Sequence, residues 1–291
     1  MQYARFFLGL FYLVRPLEWS KSLGNMVIAA LTAAMIFKVG VGIELFLQGF
    51  ASLALLWCGL YALNDYTDRQ QDALHPIKKD RPIPSGMVKP LHALLFSLLL
   101  ITVSGFIAAG INSLIVLCWA VMLANQVFYT MKPFNFKKKP VLDLVSGSMV
   151  NPVFRFYYGW GLLVPAFNAP IVVLLFILGI QFGGYGLYRM MSKGFEKSMK
   201  TKSSVVVFGE KNIKTVFYAA LVMGVVSYFI ASLTVWKQSY FWMGIVSLFT
   251  VPFYYKAIMN PETTDMKKQY LTVYLHYLIF IAGFAMVYLF F

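Results

Sequence analysis

Acidic side chains are scarce in this sequence: 11 Asp and Glu stand against 25 Lys and Arg in 291 residues. Charged residues make up 12% of the chain, about half the share of a soluble globular domain. Only two cysteines occur, Cys58 and Cys118, both inside apolar runs; they exclude a disulfide framework and read as buried free thiols. No His, Cys and acid spacing makes a zinc site. His75 reads as a loop residue, and His92 and His276 as helix histidines with satisfied rings. Polar linkers and low-complexity tracts are missing too, so residues 1–291 read as a single domain. What is abundant is apolar mass, 60% of the residues, with 18% aromatic. This excludes a disordered chain and, despite a formal charge of +14, a soluble nucleic-acid-binding protein.

Apolar stretches of membrane-spanning length lie near 22–40, 42–63, 91–110, 113–131, 141–164, 168–188, 214–235, 238–255 and 270–291. Backbone amides in lipid must be satisfied within each segment, and no β-barrel alternation is present, so the expected class is all-α, polytopic, with nine transmembrane helices. Arg5 and the apolar stretch Phe6 to Val14 run into Arg15, Pro16 and Lys21 without a small-residue cleavage site, which predicts an interfacial helix.

Lys and Arg fall in the N-terminal segment and in 64–90, 132–140, 189–214 and 256–268, together 22 of the 25. Nine spans put all of these on one face, which the positive-inside rule makes cytoplasmic along with the N-terminus. Only Lys38 and Lys237 fall on the other face, and Arg155 lies inside a span. Topology and anionic membrane lipid account for the basic surplus, and no nucleic acid is required.

Four of the 11 acids, Asp65, Asp68, Asp72 and Asp80, lie within 16 residues just after the second span. If that helix continues through Asp72 and breaks near Pro76, then Asn64, Asp68 and Asp72 stack at i, i+4 and i+8, and Asp65 joins them at i+3 and i+7. Like charges stacked at a membrane edge need a cation among them. Hard oxygen ligands at this spacing suit Mg²⁺, which is ordinarily completed by substrate phosphates. Lys78, Lys79 and Arg81 follow at once and suit diphosphate oxygens. These residues point to a Mg²⁺–diphosphate site. The alternative is a solvated loop whose acids and bases merely pair.

Asn64-Asp65-x-x-Asp68-x-x-x-Asp72, followed by Arg81-Pro82-x-x-x-Gly86, resembles the first aspartate-rich motif and basic segment of the UbiA superfamily of intramembrane prenyltransferases. Arg15-Pro16-x-x-Trp19-x-Lys21, Tyr129-x-x-Lys132 and Lys202-Ser203-Ser204 through Glu210 are similar to other family segments. The resemblance implies helices around a central cavity and Mg²⁺ held by Asp65, Asp68 and Asp72, with Asn64 beside them. It also implies a prenyl diphosphate donor bound by Lys78, Lys79, Arg81, Lys132, Lys202 and Arg15. Ionisation of the donor would give an allylic cation, shielded by aromatic rings and attacked by a lipophilic, often aromatic acceptor.

The family's second acidic motif falls on Ser192 and Glu196, so one acid remains there, amid Arg189, Lys193 and Lys197. This departure keeps two superfamily alternatives open, phosphoribosyl transfer to a polyprenyl phosphate and cyclisation of the prenyl diphosphate. A transporter or lipid-binding membrane protein is the non-enzyme alternative, although no inverted repeat is evident. Asp143, Asn151 and Arg155 share roughly one face of the fifth span, and Arg155 is expected to face the cavity or to pair with Asp143. Tyr129, Asn151, Arg155 and Glu196 are the expected acceptor or cavity residues, and Glu18 stands where relatives often carry an amide. Gly183-Gly184-Tyr185-Gly186 lacks the context of a phosphate loop and reads as close helix packing. Prenyl chain length, acceptor identity and oligomeric state depend on cavity depth and surfaces that a linear sequence does not display.

Overall fold

The computed structural model describes residues 2–75, 77–191, 193–198, 200–261 and 265–291, and every regular element in them is helical. Pro76 and Ser192 lie outside the described residues, as do the side chains of Lys256, Lys267 and Lys268. Helix α1 (Gln2–Leu13) is the expected short N-terminal segment, with Tyr3, Phe7 and Phe11 exposed and Leu13 packed beside Ala62, Ile83 and Val88. The chain turns at Arg15, whose φ of 47° is left-handed, into Pro16 and then α2 (Trp19–Phe37). There follow α3 (Ile43–Ala73), α4 (Pro90–Ala109) and α5 (Ser113–Thr130).

Among the described residues, seven helices are long and apolar enough to cross a membrane without interruption, and the other two expected spans are interrupted helices. Both interruptions are visible in the chain. The stretch expected at 141–164 is divided into α6 (Leu142–Val145), a π-turn over Ser146–Val150 and α7 (Asn151–Trp160). The stretch expected at 238–255 breaks into α12 (Ser239–Leu248) and α13 (Val251–Met259). Pro252 lacks an N–H and falls in the first turn of α13, where no intrahelical bond is lost. The remaining elements are α8 (Ile171–Met190), the short α9 (Lys193–Ser198) and α10 (Ser204–Val207), then α11 (Glu210–Thr234) and α14 (Met266–Phe290).

Small residues bring the long helices together. A Cβ on Gly159 would lie 2.5 Å from Met26 Cα, so α7 crosses α2 backbone against backbone. Gly179 meets Gly224 in the same way where α8 packs on α11. Gly183 and Gly186 also face Phe217 and Leu221 of α11, which bears out helix packing as the purpose of that glycine cluster. The main core gathers Met26, Leu53, Leu56, Phe156 and Trp160, and both cysteines are buried and free. Leu95, Leu99, Phe106, Val222 and Ile279 point outward, a surface matched to acyl chains rather than water.

Candidate functional site

Helix α3 is the spine of the site. It runs unbroken through Asp72 and ends at Ala73, with Leu74 as its cap, so the predicted continuation is present. Trp57, Tyr61, Asn64/Asp65, Asp68 and Asp72 follow one another at helical spacing along it. Asp65 and Asp72 are 1% and 3% exposed, and Asp68 is half-buried.

The acids are not solvated; each is held by a cation from a different segment. Arg81 Nη1 donates to Asp65 Oδ1 at 2.9 Å and to Asp72 Oδ2 at 2.7 Å. Arg15, delivered by its left-handed backbone, donates to Asp65 as well, and Lys137 donates to Asp68. The loop carrying Arg81 is fixed by Ile83 and Val88, which pack against Leu13, Ala62 and Ala93. Lys78 stands close by: burial and then the Arg81 charge push its ammonium down from the ordinary lysine range, while Asp72 and Asp68 pull it up. His75 accepts from the Ile77 and Lys78 amides through Nδ1, and burial, Lys78 and Arg81 push its ring down to about 4, keeping it a neutral acceptor at pH 7. Buried ion pairs give up hydration for little net stability. Arg15 and Arg81 reach in from loops and keep 24% side-chain exposure, so they can exchange these oxygens for others.

Lys79, Lys132 and Lys202 are exposed at the loop edges. The third loop contributes Lys137 instead, a residue missed by sequence reasoning because nothing in the Lys137–Lys139 run marks which ammonium turns inward. Asn64 is half-buried beside the acids, and its carbonyl accepts from the Thr67 hydroxyl.

A second carboxylate cluster lies across α6, α8, α9 and α10. Arg189 Nη2 donates to both oxygens of Glu196 at 3.0 and 3.1 Å and lies 3.4 Å from Asp143 Oδ2. Ser203 donates to Glu196, and Ser204 donates to Asp143 through both its hydroxyl and its amide. The pairing of Asp143 with Arg155 is therefore not formed. The π-turn inserts an extra residue per turn between them and rotates α7 out of phase with α6. Asn151 is spent on that turn, accepting from Asn125 at 2.9 Å and donating to Ser146 O at 3.3 Å. Tyr129 and Tyr185 share a hydroxyl contact at 3.0 Å. The two clusters meet where the Phe195 ring lies 4.1 Å from that of His75. Deeper in, Glu18 accepts from Tyr274 at 2.7 Å and Tyr61 at 3.3 Å and pairs with Lys21 at 2.6 Å. Arg155 stacks on Trp57.

Among the described residues, no group of three His, Cys, Asp or Glu side chains converges tightly enough to cage a metal. The donor set still fits Mg²⁺, because that ion is ordinarily held by one or two carboxylates and completed by water and phosphate oxygens.

The sequence profile of the UbiA prenyltransferase family matches residues 25–289. The chain belongs to this family. Among relatives, the decaprenyl-phosphate phosphoribosyltransferase of Mycolicibacterium smegmatis is 29% identical over 216 residues, 67% of this chain and 63% of that protein. The chain thus matches less than two thirds of that relative's length. The digeranylgeranylglyceryl phosphate synthase of Methanopyrus kandleri is 29% identical over 72% of this chain and 74% of its own. A protoheme IX farnesyltransferase of Bacillus mycoides is 32% identical over 43% of this chain and 40% of its own. The structure of a UbiA homolog from Archaeoglobus fulgidus bound to GPP and Mg²⁺ superposes with a TM-score of 0.75 at 21% identity, covering 95% of this chain and 98% of that one. The UbiA fold is thus shared across nearly the whole chain.

Proposed function

We propose that this UbiA family member transfers an isoprenyl group from a prenyl diphosphate to a lipophilic acceptor within the membrane, with Mg²⁺ at the end of α3. The observation that carries this reading is the row of carboxylates along α3, balanced by cations that come from three separate loops. An incoming diphosphate offers Arg15, Arg81, Lys78 and Lys137 a new set of oxygens. Their withdrawal frees Asp65, Asp68 and Asp72 to hold the metal, with Asn64 at the margin. Mg²⁺, when bound there, neutralises the charge that builds on the leaving diphosphate. The guanidinium groups of Arg15 and Arg81 orient that leaving group in a fixed fork. The C1–O bond breaks with its electron pair going to diphosphate, and the acceptor forms the new bond to C1 and loses a proton.

The basic loops and the N-terminus face the cytoplasm in this account, following the bias of 22 of 25 cations. A second reading, phosphoribosyl transfer to a polyprenyl phosphate, is supported by the mycobacterial relative and by the reduction of the second acidic cluster to a Glu196 already engaged by Arg189. Mass spectrometry of products separates the two. Purified protein is given prenyl diphosphates of several lengths with a lipid-quinone extract, or phosphoribosyl diphosphate with polyprenyl phosphate, each with Mg²⁺ or EDTA. Consumption of a prenyl diphosphate only with Mg²⁺ is the expected result, and consumption of the phosphoribosyl donor alone would move the protein to the second reading.

A further inference from the structure

Arg155 carries a charge that the fold leaves unanswered. It is 5% exposed, and among the described residues it forms no ion pair and its Nε–H meets no acceptor. Its guanidinium carbon lies 3.6 Å from the centroid of the Trp57 ring. The Trp57 Nε1–H, on a residue 4% exposed, lacks an acceptor as well. One stacked pair therefore holds two buried N–H donors with no acceptor among the described residues. A cation–π contact returns less than an unpaired buried donor on a charged group costs.

Acceptors at the start of α2, within it and on α6 are committed elsewhere. Glu18 takes Tyr61, Tyr274 and Lys21; Asn25 Oδ1 takes Gln181 and Tyr277, the latter at 3.0 Å; Asp143 takes Arg189 and Ser204. The donor's diphosphate has its own cations at the end of α3. Trp57 precedes Asp65 by two helical turns, about 12 Å along the axis, so the stacked pair lies deeper in the bundle than the carboxylates.

Resting on the transferase reading above, we infer that Arg155 and Trp57 bind the oxyanion head group, carboxylate or phosphate, of the lipophilic acceptor. An acidic head fixed there by a charge-assisted bond to Nε–H and a second bond to the indole N–H points the rest of the acceptor along α3 towards the diphosphate. A neutral acceptor leaves both donors unpaired, so the pair selects for charge as well as position.

The test is a thermal-shift titration of the purified protein in neutral detergent, without metal or diphosphate, using 4-decyloxybenzoate, its methyl ester and decyl phosphate as probes. At least one anion is expected to raise Tm saturably while the ester does not, and which anion does so tells a carboxylate acceptor from a phosphate one. Arg155→Gln and Trp57→Phe are expected to weaken that anion by about 10-fold or more. Arg155→Lys, which keeps the charge but not the planar fork, covers the case in which Arg155→Gln does not fold, and is expected to weaken it less. Lys38→Gln, at the exposed C-terminal end of α2, is expected to leave anion binding unchanged. Equal shifts with acid and ester, no shift with either anion, or full anion affinity in the Arg155 variants would overturn the inference. Inorganic pyrophosphate with Mg²⁺, titrated into the same preparation, reports the other site. Binding there without the anion overturns the acceptor inference alone, and anion binding without it overturns the diphosphate reading alone.

Discussion

Two clusters in this molecule pair carboxylates with guanidinium, and they differ in how their cations are held. In the first, Arg15, Arg81 and Lys137 come from three separate loops, and the two arginine side chains keep 24% exposure. In the second, Arg189 belongs to α8 itself, is 9% exposed, and faces acids that are also capped by Ser203 and Ser204. Loop cations with access to water can change partners when a more highly charged one arrives. A helix-borne cation gripped by two acids cannot do so without opening the fold. On the proposed reading the same chemistry serves as a binding site at the end of α3 and as a brace joining α6, α8, α9 and α10.

The largest effects are expected in the first cluster. Asp68→Asn and Asp72→Asn should each lower turnover by about 10²-fold or more while the protein still elutes as a folded species in detergent. EDTA should do the same to the unmodified protein, with activity restored by Mg²⁺. Near-normal product formation by both variants would erase the distinction between the clusters. Next comes the brace. Arg189→Gln strands Asp143 and Glu196 and should cost about 3–5 kcal/mol, read as a fall in Tm; an unchanged Tm would show that the second cluster is not structural. Arg81→Ala should mainly raise KM for the donor, by about 10-fold, with a smaller change in kcat. Smallest of all, Glu196→Gln keeps an oxygen for Arg189 and Ser203 and should hold activity within a few-fold of the parent. A collapse of activity without a loss of Tm would make Glu196 part of the chemistry.

The difference between the clusters also marks what could be read from the sequence. The aspartate face of α3 was legible because helical spacing alone fixes it: once the helix runs through Asp72, Asn64, Asp68 and Asp72 must stack. Arg81 was legible because it follows within nine residues of Asp72 on a short loop. Lys137 was not, since its approach to Asp68 is set by how the loop after α5 folds over the end of α3. The Asp143–Arg189 contact was hidden for another reason. Asp143, Asn151 and Arg155 share a face only in a regular helix, and the π-turn at Ser146–Val150, which holds Gly147 and is followed by Pro152, breaks the phase and sends Asp143 to Arg189 and Arg155 to Trp57. The interruptions inside two expected spans were not legible either: the stretch expected at 238–255 divides into α12 and α13 just before Pro252.

The exchange of partners at the end of α3 is tested most directly by calorimetric titration of a non-cleavable thio-analogue of geranyl diphosphate, with Mg²⁺ and with EDTA, into the parent protein and Asp68→Asn. The account predicts that Mg²⁺ tightens binding to the parent by about 10-fold or more, and that Asp68→Asn loses this gain yet keeps the weaker, metal-free binding supplied by Arg15, Arg81 and Lys137. Equal affinity with Mg²⁺ and EDTA in the parent, or an undiminished Mg²⁺ gain in Asp68→Asn, would contradict it.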